Sequence, residues 1–341
     1  MIGRGIKWML LLTGTMIGAG YASGREIWQF FGADSVVAIL LFSGLFMICS
    51  YVILKLSISL KAENYVVVLE ALLGKRLAKA YDKLIILYLF LTTGIMISGG
   101  GATLQTFELP YWFGIGLMCI LLVVLFIWDL DGLTSVNNFL TPMLIICLVV
   151  ILIIFQWTSE GGFSLEWGAQ SNWPSALTFT ALNLLPVVAV LSAIGTKIEH
   201  KGEVWIATIG SGLILGGVSL IYNQSLLRVA DDLLLYEIPL FSILSSYPSI
   251  LVFAMTILLW TAIFTTAAAN ILGLISRFKN LFTAPGWLLT FVIVTALIPM
   301  TTFGFSTLVG FLYPLYGMLN LYLLGSVLLF PFLQEDQPKL R

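Results

Sequence analysis

Apolar residues run in long stretches along the chain, interrupted at fairly even intervals by short polar, glycine-bearing or proline-bearing segments. A run of about 20 apolar residues is long enough to cross the hydrocarbon layer as a helix. Read against their breakers, the runs predict spans at 5–31, 35–58, 83–107, 110–128, 133–156, 174–196, 203–224, 247–276, 284–300 and 304–332. The expectation is an all-α polytopic protein of ten transmembrane helices, with 1–341 as a single transmembrane domain. Two connecting segments have a pattern of their own. Glu63–Asp82 mixes Tyr65, Leu69, Leu72, Leu73 and Leu77 with Lys75, Arg76 and Lys79, which predicts an amphipathic helix at the membrane surface. Leu226–Phe241 carries Asp231, Asp232 and Glu237 before the eighth span, and reads equally as a cap over an external vestibule or as a solvated loop helix.

Composition agrees with a membrane protein. The chain is 60% hydrophobic and 10% charged, against roughly 25% charged residues in a soluble domain. The first apolar stretch lacks a small-residue cleavage site and continues as a span, so no cleaved signal is expected. Cys49, Cys119 and Cys147 fall singly within spans, without metal-type spacing, and read as reduced packing residues. Basic loops stay cytoplasmic. With the amino terminus inside, fourteen basic residues, from Arg4 and Lys7 to Lys279, Lys339 and Arg341, lie on the cytoplasmic side, against Arg228 alone outside. Asp129 and Asp131 on the inner side leave that unchanged, because acidic residues carry little weight in the rule. Both termini are therefore expected in the cytoplasm, in a multi-pass inner-membrane protein. His200, the single histidine, falls in a cytoplasmic loop and reads as solvated.

Span starts in the second half follow those of the first by about 170 residues, which divides the chain into 1–157 and 174–332. Five spans per unit is an odd number, so the second unit enters from the opposite side as an inverted copy. Inverted repeats are a mark of secondary transporters, whose sites lie near the midplane at interrupted helices. The first span carries Gly14-Thr15-Met16-Ile17-Gly18-Ala19-Gly20-Tyr21 and then Gly24-Arg25-Glu26. Glycines weaken a helix by about 1 kcal/mol each relative to alanine, and charged residues follow at a costly depth, so a break is expected here; close helix packing is the other reading. The sixth span carries Thr178, Thr180, Asn183 and Pro186, and Pro186 cannot donate to the Leu182 carbonyl. A break is expected there too, beside the plainer reading of a proline kink.

The segment Gly14-Thr15-Met16-Ile17-Gly18-Ala19-Gly20 resembles the first-helix signature of the amino acid–polyamine–organocation transporter superfamily, notably its aromatic amino acid permeases. In particular, the chain is similar to the YkvI-like bacterial membrane proteins. After the glycines it departs from the permease pattern, with Gly24-Arg25-Glu26 where a proline is usual. The resemblance implies the five-plus-five inverted-repeat fold of bacterial leucine transporters, with helices one and six broken. It implies that Gly18, Ala19, Gly20 and Tyr21 receive a solute's carboxylate and that Thr180, Asn183 and Leu184 receive its amino group. For sodium-coupled members it implies a cation among Gly14, Ile17, Ala262, Thr265 and Thr266; the alternative is that both hydroxyls bond within their own helix.

Arg25 and Glu26 read as an external gate or as a structural pair at the outer water boundary. As neighbours on a helix they point to different partners. Ser98-Gly99-Gly100-Gly101-Ala102 predicts close approach of another helix, and Tyr313-Pro314 with Tyr316-Gly317 predicts a bend in the tenth span. The spans offer no histidine and no clustered carboxylates, which argues against an intramembrane enzyme. The expected function is secondary active transport of a small polar solute, an amino acid or related compound, by alternating access with Na+ or H+ coupling. The alternative is a solute sensor like the spore-germination receptor subunits of the same superfamily. The expected partners are that solute and the lipid bilayer, with no nucleic acid and no cofactor beyond a coupling ion.

Overall fold

The computed structural model of the chain describes residues 1–62, 64–127, 131–158, 168–278 and 284–335, without the side chains of 131–141, 234 and 333–335. Glu63, Asp129, Lys279, Lys339 and Arg341 lie outside the described residues, as does the Asp131 side chain. The regular elements are helices: α1 (Ile2–Met16), α2 (Ala19–Ala22), α3 (Arg25–Phe30), α4 (Val36–Ser59), α5 (Tyr65–Gln105), α6 (Tyr111–Leu125), α7 (Asp131–Thr158), α8 (Ser175–Ile194), α9 (Lys201–Arg228), α10 (Leu240–Leu244), α11 (Ser249–Phe278), α12 (Gly286–Thr301), α13 (Phe305–Leu319) and α14 (Leu321–Glu335). Six of the described helices are long and apolar enough to cross a membrane, counting α13 and α14 as one piece over Phe305–Phe332. Tyr111–Leu125, Pro142–Thr158 and Gly286–Thr301 are shorter apolar helices.

The first apolar region is interrupted as its glycines predict. Helix α1 ends at Met16, Ile17 turns to φ −81°, ψ 72°, and Gly18 is extended at φ −89°, ψ −171° before α2 begins. A second interruption follows at Gly24, whose φ of 80° favours glycine. The sixth span corrects its expectation: α8 runs unbroken from Ser175 to Ile194 with Pro186 inside it. A proline in a packed helix is accommodated when side chains and neighbours satisfy the backbone around it. The polar side chains of α8 bond within their own helix, Asn183 Nδ2 donating to the Phe179 carbonyl at 2.9 Å and Thr180 Oγ1 to that of Ala176 at 2.6 Å, about one and two turns before the Leu182 carbonyl that Pro186 leaves without a donor.

The amphipathic segment before the third span is helical and continuous with it, kinked at Gly74 (φ 76°, ψ 159°). Leu69 and Leu73 are buried while Lys75 and Arg76 are exposed, as the pattern requires. The segment after α9 forms a short 3-10 turn, Ala230–Leu235, and then α10.

Two groups of helices pack around the interrupted region. Helix α9 lies on α1 and α4, with α4 also on α8; α5 lies on α11 and α6, and α12 on both α5 and α6. Helices α5 and α6 meet at glycine: a Cβ on Gly114 would stand 2.7 Å from the Gly101 Cα, the close approach that the glycine run predicts. Asn172, ahead of α8, clasps the turn between α3 and α4 by donating to the carbonyls of Phe30 (2.9 Å) and Phe31 (2.6 Å) and to Ser35 Oγ (2.8 Å). At the other end, Arg4 pairs with Glu199 at 2.5 Å and holds its carboxyl below the usual carboxylate range, chiefly through their hydrogen bond. Trp8 Nε1 donates to the fully buried Glu203 at 3.2 Å, tying α1 to α9.

Candidate functional site

The interruption of the first helix opens onto a cavity of about 320 Å³. Thr15, Met16, Gly18, Ala19, Gly20 and Glu26 line it from α1 to α3. Helix α5 contributes Tyr65, Tyr88, Thr92 and Met96; α8 contributes Asn183, Pro186 and Ala189; α11 contributes Thr266 and Asn270; and α13 contributes Tyr313. The glycines are there because helix propensity fails at that depth, leaving backbone where a helical side chain would fill the space.

Four of the residues expected to bind solute, Gly18, Ala19, Gly20 and Asn183, share this lining. The other three lie outside it. Tyr21 is fully buried toward α9, its hydroxyl 2.8 Å from Ser219 Oγ. Thr180 and Leu184 are about 1% exposed and packed within the protein. Pro186 lies three positions beyond Asn183, on the same face of α8, whereas Leu184 is rotated by about a third of a turn.

Of the expected cation ligands, Thr266 lines the cavity, and Gly14, Ile17, Ala262 and Thr265 do not. Both hydroxyls donate to the Ala262 carbonyl, Thr265 at 3.1 Å and Thr266 at 2.7 Å. That is the within-helix bonding typical of membrane threonines.

Arg25 and Glu26 diverge. Arg25 Nη2 reaches the Ser306 carbonyl at 3.4 Å, and Glu237 Oε2 accepts from the Ser306 amide at 2.9 Å, so the start of α13 is held between the α3 arginine and the loop glutamate. The Leu240 amide donates to the Ser23 carbonyl at 2.9 Å, docking the same loop on the first-helix region. Glu26 turns inward instead. It is 9% exposed, and its carboxyl lies so close over Gly20 that a Cβ there would overlap Oε1. Among the described residues that line the cavity, it is the one carboxyl. Among the described residues none pairs with it or donates a hydrogen bond to it.

Sequence reasoning missed Tyr88, Thr92 and Met96. Their spacing of four places them on one face of α5, but that signal does not distinguish a cavity wall from a packed face. Asn270 Nδ2 donates to Thr92 Oγ1 at 3.1 Å, joining α11 to α5 at this wall.

No protein-family model matches the chain. Among solved structures it superposes on the inward-facing conformation of Mhp1 with a TM-score of 0.66 at 14% identity, covering 98% of this chain and 78% of that one. It superposes on a mutant of the Eremococcus coleocola manganese transporter with a TM-score of 0.53 at 17% identity, covering 95% and 74%. The fold is thus of the leucine-transporter-like kind, as the resemblance implies. The chain is 25% identical over 328 residues to the "Uncharacterized membrane protein YkvI" of Bacillus subtilis (strain 168), covering 92% of each. It is 49% identical over 331 residues to the "Uncharacterized protein YyaD" of the same organism, covering 97% of this chain and 98% of that one. With that identity along nearly its whole length, the chain belongs to the family of YyaD.

Proposed function

We propose that the chain is a secondary transporter that moves a small polar solute, an amino acid or related compound, by alternating access. The observation that carries this reading is the cavity at the interrupted first helix, walled by both helix groups. Polar backbone in a membrane is tolerated where it lines such a space, and transporter sites are found at interrupted helices near the midplane. The loop that holds Glu237 against Ser306 and Leu240 against Ser23 supports a state closed on that side. Tyr65, at the start of the amphipathic part of α5, borders the cavity at the other. The fold neighbours, Mhp1 and a manganese transporter, agree with a carrier rather than an enzyme.

The reading includes ten passes in two inverted units, 1–157 and 174–332, with both termini in the cytoplasm of a bacterial inner membrane. Packing supports it: exchanging the two halves turns the α1–α9 contact into the α8–α4 contact, while α5–α11 and α6–α12 map onto themselves. The reading allows sodium among Gly14, Ile17, Ala262, Thr265 and Thr266, whose hydroxyls donate to the Ala262 carbonyl and keep their lone pairs for a cation, and it equally allows the proton as coupling ion. Uptake into proteoliposomes containing only this protein is the test. An amino-acid panel should reveal at least one solute accumulated against its gradient when an ion gradient is imposed. Binding without uptake would make the protein a sensor.

A further inference from the structure

Glu26 is the group that the expected chemistry of the cavity does not absorb. An amino acid held as in the resembled family would lay its carboxylate on the first-helix break. In this chain a carboxyl is already there, seated over Gly20 and facing the same space. When Glu26 is ionised, a second carboxylate in that position is repelled.

Among the described residues, the surroundings of Glu26 offer no positive charge. The titratable groups around it are Tyr21 of α2, Tyr88 of α5 and Tyr313 of α13. Helix α8 contributes the neutral Asn183, and the nearest titratable group on α9, Tyr222, donates to the Ala22 carbonyl at 2.9 Å. Arg25, next in sequence, is turned to Ser306 and Glu237. An ionised carboxylate so enclosed within a membrane protein is costly unless a cation joins it. Either a proton or a cationic solute can supply that charge, and one carboxylate this enclosed does not take both.

We propose that Glu26 is an exchange site at which a small ammonium-bearing solute displaces a proton, so that solute and proton occupy the cavity in turn and cross in opposite directions. The step balances: the Glu26 carboxylic acid releases its proton to cavity water and the resulting carboxylate pairs with the R–NH3+ group, no covalent bond to the solute being made. The thioether of Met96 and the rings of Tyr88 and Tyr313 in the lining suit an apolar stem behind the ammonium. The inference rests on the transporter reading for the direction of movement, but its binding step does not.

The test is made on the full chain in detergent, in weakly buffered solution with a pH-indicator dye, using methylammonium, putrescine and agmatine as probes and acetate and Mn2+ as controls. At least one ammonium probe should bind with release of a proton for each ammonium bound, and Glu26→Gln should lose the proton release. Binding without proton release, release unchanged in Glu26→Gln, no binding by all three probes, or a response to Mn2+ alone would each overturn the proposal. Carbodiimide labelling of the wild-type protein covers the case in which that variant misfolds. Peptide mass mapping should place the adduct on Glu26 and the ammonium probe should suppress it; an unlabelled Glu26 overturns the proposal. Proton release in detergent without uptake into vesicles would leave the exchange site standing and remove the transporter reading.

Discussion

Gly18 and Gly20, two residues apart in sequence, answer to two kinds of constraint at the first-helix break. Gly18 makes the turn, yet its φ of −89° is open to any residue and a Cβ there would meet nothing within 4 Å. Gly20 sits in a helical turn that would ordinarily accept alanine, but Glu26 lies against it. Gly20→Ala must therefore swing the carboxyl, the far end of a flexible side chain, off its seat and into the cavity, at about 1 kcal/mol, the low end for an overpacked site, whereas Gly18→Ala should stay within about 0.5 kcal/mol. Thermal unfolding in detergent measures both, and equal midpoints for the two variants would contradict the placement of Glu26. The break was legible in the sequence because four glycines in eleven residues are a local signal. The Glu26 carboxyl over Gly20 was not, since the sequence leaves open which of Arg25 and Glu26 faces inward.

Among the elements, the loop before α10 ties the first-helix region to α13. It bonds to the first-helix region through Leu240 and Ser23 and to the start of α13 through Glu237 and Ser306, with Arg25 alongside. A hydrogen bond to a charged group contributes about 1.5–3 kcal/mol. Glu237→Ala should thus shift the protein toward opening on that face. A cysteine at Ala189, with the native cysteines replaced, should then react about tenfold faster or more with an impermeant thiol reagent added outside. An unchanged rate would place the closure elsewhere. The sequence marked this loop by its acids but left two readings of it open, cap or solvated helix. Helix α8 shows the converse, where a proline that suggested a break lies inside an unbroken helix from Ser175 to Ile194.

For the whole molecule, the exchange symmetry of the packing and the distribution of lysine and arginine make a joint demand on topology. If the two five-helix units are inverted copies, Arg228 and Arg277 fall on opposite sides of the membrane, separated by the α11 span. Reporter fusions after each should give opposite signals, that after Arg277 cytoplasmic; the same side for both would rule out the inverted repeat. Basic loops alone predict the orientation, whereas the pairing of α1 with α9 and of α4 with α8 becomes visible only once the helices are packed.

The sequence by itself determined the membrane character, the lengths and order of most helices, the interruption near Gly18 and the close contact at Gly101, because hydropathy, helix propensity and side-chain size act over a turn or two. Tertiary structure alone decided that Glu26 enters the cavity while Arg25 leaves it, that Tyr88, Thr92 and Met96 form a wall, and that the Thr265 and Thr266 hydroxyls bond within α11. Each of these depends on how a helix is rotated against neighbours far away in sequence. In a chain so apolar on every face, the residues themselves do not fix that rotation; packing does.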